Sequence, residues 1–244
     1  MLKAAVFDFN GTLFWDTPYH NRAFRILAER YSTPSPEGLR SRRMEDSDLS
    51  YIQGRTNNFI MRYMFGDSLT DRQVADLGEE KERIYRDLCK GEVQLAPGAE
   101  ALFDTLSSNG FSLAIASSAD INNVNFYYSE IASLVRWFPR ERFIYNDWSF
   151  NSKPAPDIFL KAFDRLGADP SEAVVFEDSG AGIRASLAAG SGMTIVVNSG
   201  ALPDLAGFAE TGSNPFPVIT DFSQAIPLLL PSSQTGTLFP KNLP

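Results

Sequence analysis

The sequence predicts an α/β fold, a parallel sheet with helices on both faces, interrupted by an inserted all-helical unit. Three observations carry this. A short apolar run, Lys3-Ala4-Ala5-Val6-Phe7, ends on an aspartate and a turn. Strand-like and helix-like segments alternate from Pro97 to Val197. Between these parts, the residues from Thr17 to Lys90 show helical spacing and no strand pattern. Repeated strand–helix units argue for parallel strands with helices packed on both sides.

The first run is β-prone and bounded by Gly11, so it reads as a buried strand delivering Asp8 at its C-terminal end. Open α/β sheets bind ligands at that edge. An unpartnered carboxylate is costly to bury, which points to chemistry at Asp8, although a turn-capping Asp reads equally well from this stretch alone. His20 to Tyr31 carries Ala23, Phe24, Leu27 and Ala28 at a helical period. Thr70-Asp71 opens a helix with Val74, Leu77, Lys81, Ile84, Tyr85 and Leu88 on one side. Its opposite face is charged by Glu79, Glu80, Glu82 and Arg83. Pro34 to Gly38, Arg42 to Asp48 and Gly54-Arg55-Thr56 separate the helices of this region.

Alternation resumes at Pro97-Gly98. A helix with Ala99, Leu102, Phe103 and Leu106 on one face ends near Asn109-Gly110. The strand Phe111 to Ala116, helical residues to about Trp137 and a short strand Arg142 to Tyr145 follow. A helix over Pro156 to Leu166 has Pro in its first turn. Then come a strand Ala173 to Phe176, a helix Ser179 to Ala189 and a strand Met193 to Val197. The core is thus expected from residues 1–15 and 95–244, and the helical unit from 16–94. The two chain crossings, near Phe14–Thr17 and Val93–Pro97, are natural hinges for a lid. Residues 231–244, rich in Pro, Ser and Thr, are expected to be poorly ordered.

With 22 basic and 30 acidic residues the net charge is −8, which disfavours nucleic acid as a partner. A small phosphorylated substrate needs only a local positive site. The single cysteine, Cys89, rules out an intrachain disulfide and suits a reducing compartment; its amphipathic helix suggests inert packing. No leader pattern and no span-length apolar stretch is visible, so a cytoplasmic monomer with no membrane partner is expected.

Phosphoryl transfer needs a nucleophile, a cation beside the phosphate and donors aimed at its oxygens. Ser117-Ser118 directly follows an apolar strand, where hydroxyls and backbone N–H groups either bind phosphate or cap the next helix. Lys153 is followed by Pro154 and Pro156, which fix the backbone and restrict where the ammonium points. Glu177-Asp178 places adjacent carboxylates after Val174-Val175-Phe176, and these repel unless a cation lies among them. Oxygen-rich sites with few protein ligands suit Mg²⁺. Acids favoured by a helix dipole would give the same pattern, but Gly180 and Gly182 suggest close backbone approach.

Asp8-Phe9-Asn10-Gly11-Thr12-Leu13 resembles motif I of the haloacid dehalogenase superfamily. Ser117 stands at motif II, Lys153-Pro154-Ala155-Pro156-Asp157-Ile158-Phe159 resembles motif III of the sugar-phosphatase branch, and Glu177-Asp178-Ser179 with its glycines resembles motif IV. The insertion between motifs I and II is similar to the small helical cap of the β-phosphoglucomutase-like branch. The resemblance implies a Rossmann-like core with an all-α cap and a Mg²⁺-dependent phosphatase of a small phosphorylated metabolite, such as a sugar phosphate. It implies Asp8 as nucleophile, phosphate contacts from Gly11, Ser117, Ser118 and Lys153, and metal ligation by Asp8, the Asn10 carbonyl and Asp178. Glu177 would be a ligand or support one. His20, Gly54 and Arg55 fall where the family's cap contacts lie, although His20 reads equally as an ordinary helix residue.

Asn10 departs from the pattern, because the family's phosphatases carry a second Asp there as general acid and base. An amide carries no proton. Breakdown of an aspartyl-phosphate is therefore expected to be slow unless another group such as His20 serves, and a phospho-ligand binding protein is the alternative reading. A mutase is disfavoured, since Asp120 would repel a second phosphate. A Schiff-base mechanism is disfavoured too, because it needs a lysine from the cap and Lys81 on an exposed charged helix is a poor candidate.

Overall fold

The computed structural model describes residues 1–52, 55–147, 149–200, 202–208 and 216–230. Six parallel strands form one sheet in the order β3-β2-β1-β4-β5-β6. They are β1 (Ala4–Phe7), β2 (Ser112–Ala116), β3 (Phe143–Ile144), β4 (Ala173–Glu177), β5 (Met193–Val197) and β6 (Val218–Ile219). The chain starts in the middle of the sheet, builds outward through β2 and β3, then returns to lay β4 on the other side of β1. The strand order therefore reverses between β1 and β4, the switch point at whose carboxyl ends open α/β sheets bind ligands. In register, Phe7 stands opposite both Ile115 and Phe176. Asp8, Ser117 and Asp178 directly follow these three strands, and Glu177 is the last residue of β4.

The strands are apolar on both faces because helices cover both. Ala5 and Phe7 point to one side and Ala4 and Val6 to the other, the two-residue period of a strand. On the first side lie α5 (Ala99–Ser108), α6 (Ile121–Glu130), α7 (Leu134–Trp137) and α10 (Ile226–Leu229). The second side is covered by α8 (Asp157–Leu166) and α9 (Gly180–Ala188) through Phe159, Phe163 and Ala185. Aromatic rings dominate the first side: Phe103 meets Phe7 at 5.0 Å, Phe138 at 4.9 Å and Trp137 at 5.4 Å. Phe103→Ala is expected to cost about 3–5 kcal/mol, read as a lower urea midpoint with an unchanged slope.

Four helices separate β1 from α5: α1 (Thr17–Arg30), α2 (Asp46–Ile52), α3 (Asn57–Phe65) and α4 (Asp71–Cys89). A reciprocal Thr70–Gln73 capping box starts α4 where the sequence pattern placed its N-terminus. Ala23, Phe24, Leu27 and Ala28 of α1 are buried, as their spacing predicts. Cys89 is buried too, and burial pushes its thiol up to about 12, so it is inert packing.

The reading of Lys81 as exposed, and of Glu82 as part of a charged outer face of α4, is corrected. Lys81 and Glu82 are not on an exposed surface; they are 3% and 7% exposed. They pair with each other at 2.9 Å, while Glu82 also accepts from Asn123 Nδ2 of α6 at 2.9 Å. Burial opposes ionisation of Glu82, yet Lys81, His20 and Asn123 together outweigh it and bring the carboxyl to about 2. β6 was not expected, since two residues show no periodicity. The tail 231–244 and Gly54 lie outside the described residues.

Candidate active site

Asp8 extends the ladder of β1, its N–H donating to the Phe176 carbonyl at 3.0 Å, and its side chain is buried. The chain then reverses at Gly11, whose φ of +80° suits only glycine. Space demands glycine as well, because a Cβ there would lie 2.2 Å from Asp178 Oδ2. This close approach presses the first loop against the loop after β4. Thr12 Oγ1 donates to Asp178 Oδ1 at 3.0 Å across the same gap.

Lys153 enters from the loop before α8. Its Nζ donates to Asp8 Oδ1 at 2.6 Å, Glu177 Oε1 at 2.5 Å and the Ala116 carbonyl at 3.3 Å. Glu177 is fully engaged. Its Oε2 accepts from the Asp178 N–H, the Ser179 N–H and the Ser179 hydroxyl, each at 3.0 Å. Gly182 makes room for it, since a Cβ at that position would fall 1.8 Å from Glu177 Oε1.

Electrostatics follow from burial. Asp8 is 6% exposed, and burial raises its carboxyl to about 7 although Lys153 pulls the other way. Burial, with Glu177 and Asp8 beside it, raises Asp178 well above the usual carboxylate range. For Lys153 burial works against the charge, but Asp8 and Glu177 more than compensate and hold its pKa above the ordinary lysine value. Asp8, Glu177 and Asp178 each offer an oxygen within 4.8 Å of the others, against one ammonium. Hard oxygen donors with surplus negative charge fit a small divalent cation such as Mg²⁺.

The structure brings together Asp8, Asn10, Gly11, Ser117, Lys153, Glu177 and Asp178. Ser117 is buried, with its hydroxyl donating to Asn10 Oδ1 at 3.1 Å, whereas Ser118 at the same strand end is exposed. Arg55 is exposed and lies over the rings of Tyr51 and Phe59. His20 stacks on Tyr85 at 4.0 Å, accepts from Lys81 Nζ at Nδ1 (2.6 Å) and faces Asp16 Oδ2 through Nε2 at 3.3 Å.

Three residues of the site carry no motif: Asp16, Tyr85 and Tyr127. Asn10 Nδ2 lies 2.5 Å from Asp16 Oδ2, 2.6 Å from the Tyr127 hydroxyl and 3.3 Å from that of Tyr85. Burial disfavours charge on Asp16, yet His20, Tyr85 and Asn10 together lower its pKa. Burial raises both phenols well above their usual value. The signal available in the sequence was Asp16 just before Thr17-Pro18, the start of a helix.

A parallel sheet that collects an aspartate, a lysine and two further acids at its switch point defines a class of hydrolase. Residues 2–190 match the haloacid dehalogenase-like hydrolases, and the chain belongs to that family. It is 31% identical to protein CbbY of Rhodobacter capsulatus, covering 78% of this chain and 82% of that protein. It is 30% identical to hexitol phosphatase A of Escherichia coli, over 77% and 80% of the two chains. Phosphorylated carbohydrates phosphatase of Thermotoga maritima is 29% identical over 78% and 82%. Among solved structures, a family IA, variant 3 hydrolase from Entamoeba histolytica superposes with a TM-score of 0.81 at 33% identity, covering 91% of this chain and 95% of that one.

Proposed function

We propose that this protein is a Mg²⁺-dependent phosphatase of a small phosphorylated carbohydrate, working through an aspartyl-phosphate on Asp8. The observation that carries the reading is the Asp8–Lys153 contact of 2.6 Å, with Asp178 pressed against the same loop by Gly11. Asp8 attacks phosphorus in line, its oxygen forming the P–O bond as the bond to the sugar oxygen breaks; the sugar alkoxide takes a proton from water, and a second water then cleaves the aspartyl-phosphate, returning the Asp8 carboxylate and releasing inorganic phosphate. Lys153 keeps the nucleophile and phosphate from repelling each other and stabilises charge developing on the phosphate oxygens. Ser118, exposed at the end of β2, supplies a donor, and Ser117 adds its hydroxyl on turning from Asn10 Oδ1; the N–H groups of Gly11 and Thr12 are already committed, to Phe14 and Asp16 and to Phe9. Asp8, the Asn10 carbonyl and Asp178 would hold Mg²⁺, which when bound neutralises phosphate charge. Glu177, with both oxygens already committed, braces Lys153 and the loop after β4. The helical unit 16–94 closes over the site as a cap and selects the substrate, with His20 and the Gly54–Arg55 region as its candidate contacts.

The names of the relatives support a carbohydrate substrate, two of them being phosphatases of hexitols and phosphorylated carbohydrates. The second reading, a phospho-ligand binding protein, is favoured by the immobilised amide of Asn10, which lacks a proton to give. Phosphate release from an aryl phosphate and a panel of hexose, pentose and hexitol phosphates separates the two. Turnover that EDTA stops and Mg²⁺ restores is expected. Stoichiometric phosphorylation without turnover would replace the phosphatase with the binding protein.

A further inference from the structure

The surroundings of position 10 specify an amide. The Asn10 nitrogen has two hydrogens and meets three oxygens, those of Asp16 (2.5 Å), Tyr127 (2.6 Å) and Tyr85 (3.3 Å). Its Oδ1 in turn accepts from Ser117 Oγ at 3.1 Å. Asp16 is not a passing neighbour. It is 1% exposed, and it takes hydrogen bonds from the Gly11 N–H at 3.0 Å and the Tyr85 hydroxyl at 2.5 Å. The Lys81 ammonium has no acceptor capacity, so at 2.6 Å it must donate to His20 Nδ1, which turns the Nε2–H toward Asp16. Asp16 is thereby surrounded by donors and fixed as an acceptor. A carboxylate at position 10 in the same pose would set two acceptor oxygens 2.5 Å apart with no hydrogen between them.

We infer that Asp16 is a positioning residue that dictates the chemistry of position 10: it holds Asn10 as a donor, and a carboxylate is admitted at position 10 only when residue 16 is uncharged. Asn10 and Asp16 are then one donor–acceptor pair, the acid lying in the linker where α1 begins. It is not a gap that one substitution would fill. Only the activity arm of the test rests on the phosphatase reading.

Four chains test this: the parent protein, Asn10→Asp, Asp16→Asn, and the double variant Asn10→Asp/Asp16→Asn. Thermal unfolding in EDTA needs no substrate. Each single change is expected to lower Tm by several degrees and the double variant to recover most of the loss. In Mg²⁺, Asn10→Asp alone is expected to raise kcat on sugar phosphates less than tenfold. The double variant gains roughly a further 10²-fold, within the range of a restored general acid and base, with KM little changed. Additive losses of Tm, or full activation by Asn10→Asp alone, would overturn the inference. Four inactive chains with a non-additive Tm cycle would instead discard the phosphatase and leave the pair standing.

Discussion

Lys153→Met is expected to lower kcat/KM by roughly 10²–10³-fold, the scale of removing a charged donor from a preorganised site. The same change is expected to remove about 3–5 kcal/mol of stability, because it leaves buried acids without their counter-ion. Both effects come from one atom. Lys153 Nζ bonds Asp8 and Glu177, and the three side chains are all under a tenth exposed, so solvent does not screen the loss. Methionine keeps a similar unbranched stem while deleting the charge and its contact with the Phe159 ring. Arg should not rescue, since a planar fork needs space that a point ammonium does not. Steady-state kinetics and urea unfolding check the two parts separately. Normal stability with lost activity would mean that Asp8 and Glu177 find other partners, and the ion-pair account of the core would then fail.

How legible the site was depends on what each residue does for its own segment. Asp8, Ser117, Lys153 and the Glu177-Asp178 pair announce themselves because each interrupts an apolar strand or a proline-fixed loop with a polar group. Their meeting follows from topology alone, since β1, β2 and β4 are neighbours in register and end at one edge. Asp16, Tyr85 and Tyr127 give no such interruption. Asp16 sits in a linker, where an acid at a helix start is ordinary. Tyr85 and Tyr127 occupy apolar helical positions, and a ring there reads as core; their hydroxyls matter only because α4 and α6 meet over Asn10.

Lys81 and Glu82 were misread for a related reason. Neighbours in a helix cannot share a face, so a charged pair at consecutive positions looks solvated. Here partners come from both sides, His20 of α1 and Asn123 of α6, which lie 61 and 41 residues away in sequence. No local pattern carries that information. β6 failed on length, being two residues paired only to β5.

Asp8→Asn is expected to abolish turnover, by more than about 10⁴-fold given the scale of nucleophile deletions, while stabilising the metal-free protein at neutral pH. The second half follows from linkage. The Asp8 carboxyl goes from an ordinary value near 3.8 to about 7 in the fold, chiefly through burial. Between those limits the folded state holds the proton more tightly than the unfolded chain. Its contribution is fully present below about 3.8 and is lost as pH rises toward about 7. Asp178 is shifted in the same direction and adds to the trend. The Tm of the parent protein in EDTA should therefore fall between pH 5 and pH 8, and Asp8→Asn should flatten that fall by removing the titrating group. Mg²⁺ acts oppositely, since its ligands must be ionised, so its stabilising effect should grow over the same interval in the parent and shrink in the variant. Parallel Tm–pH lines for parent and variant would show that Asp8 is not the group that titrates, and a Mg²⁺ shift retained in full by Asp8→Asn would remove it from the metal's ligands. Because the readout is unfolding, the result stands whether or not the right sugar phosphate has been found.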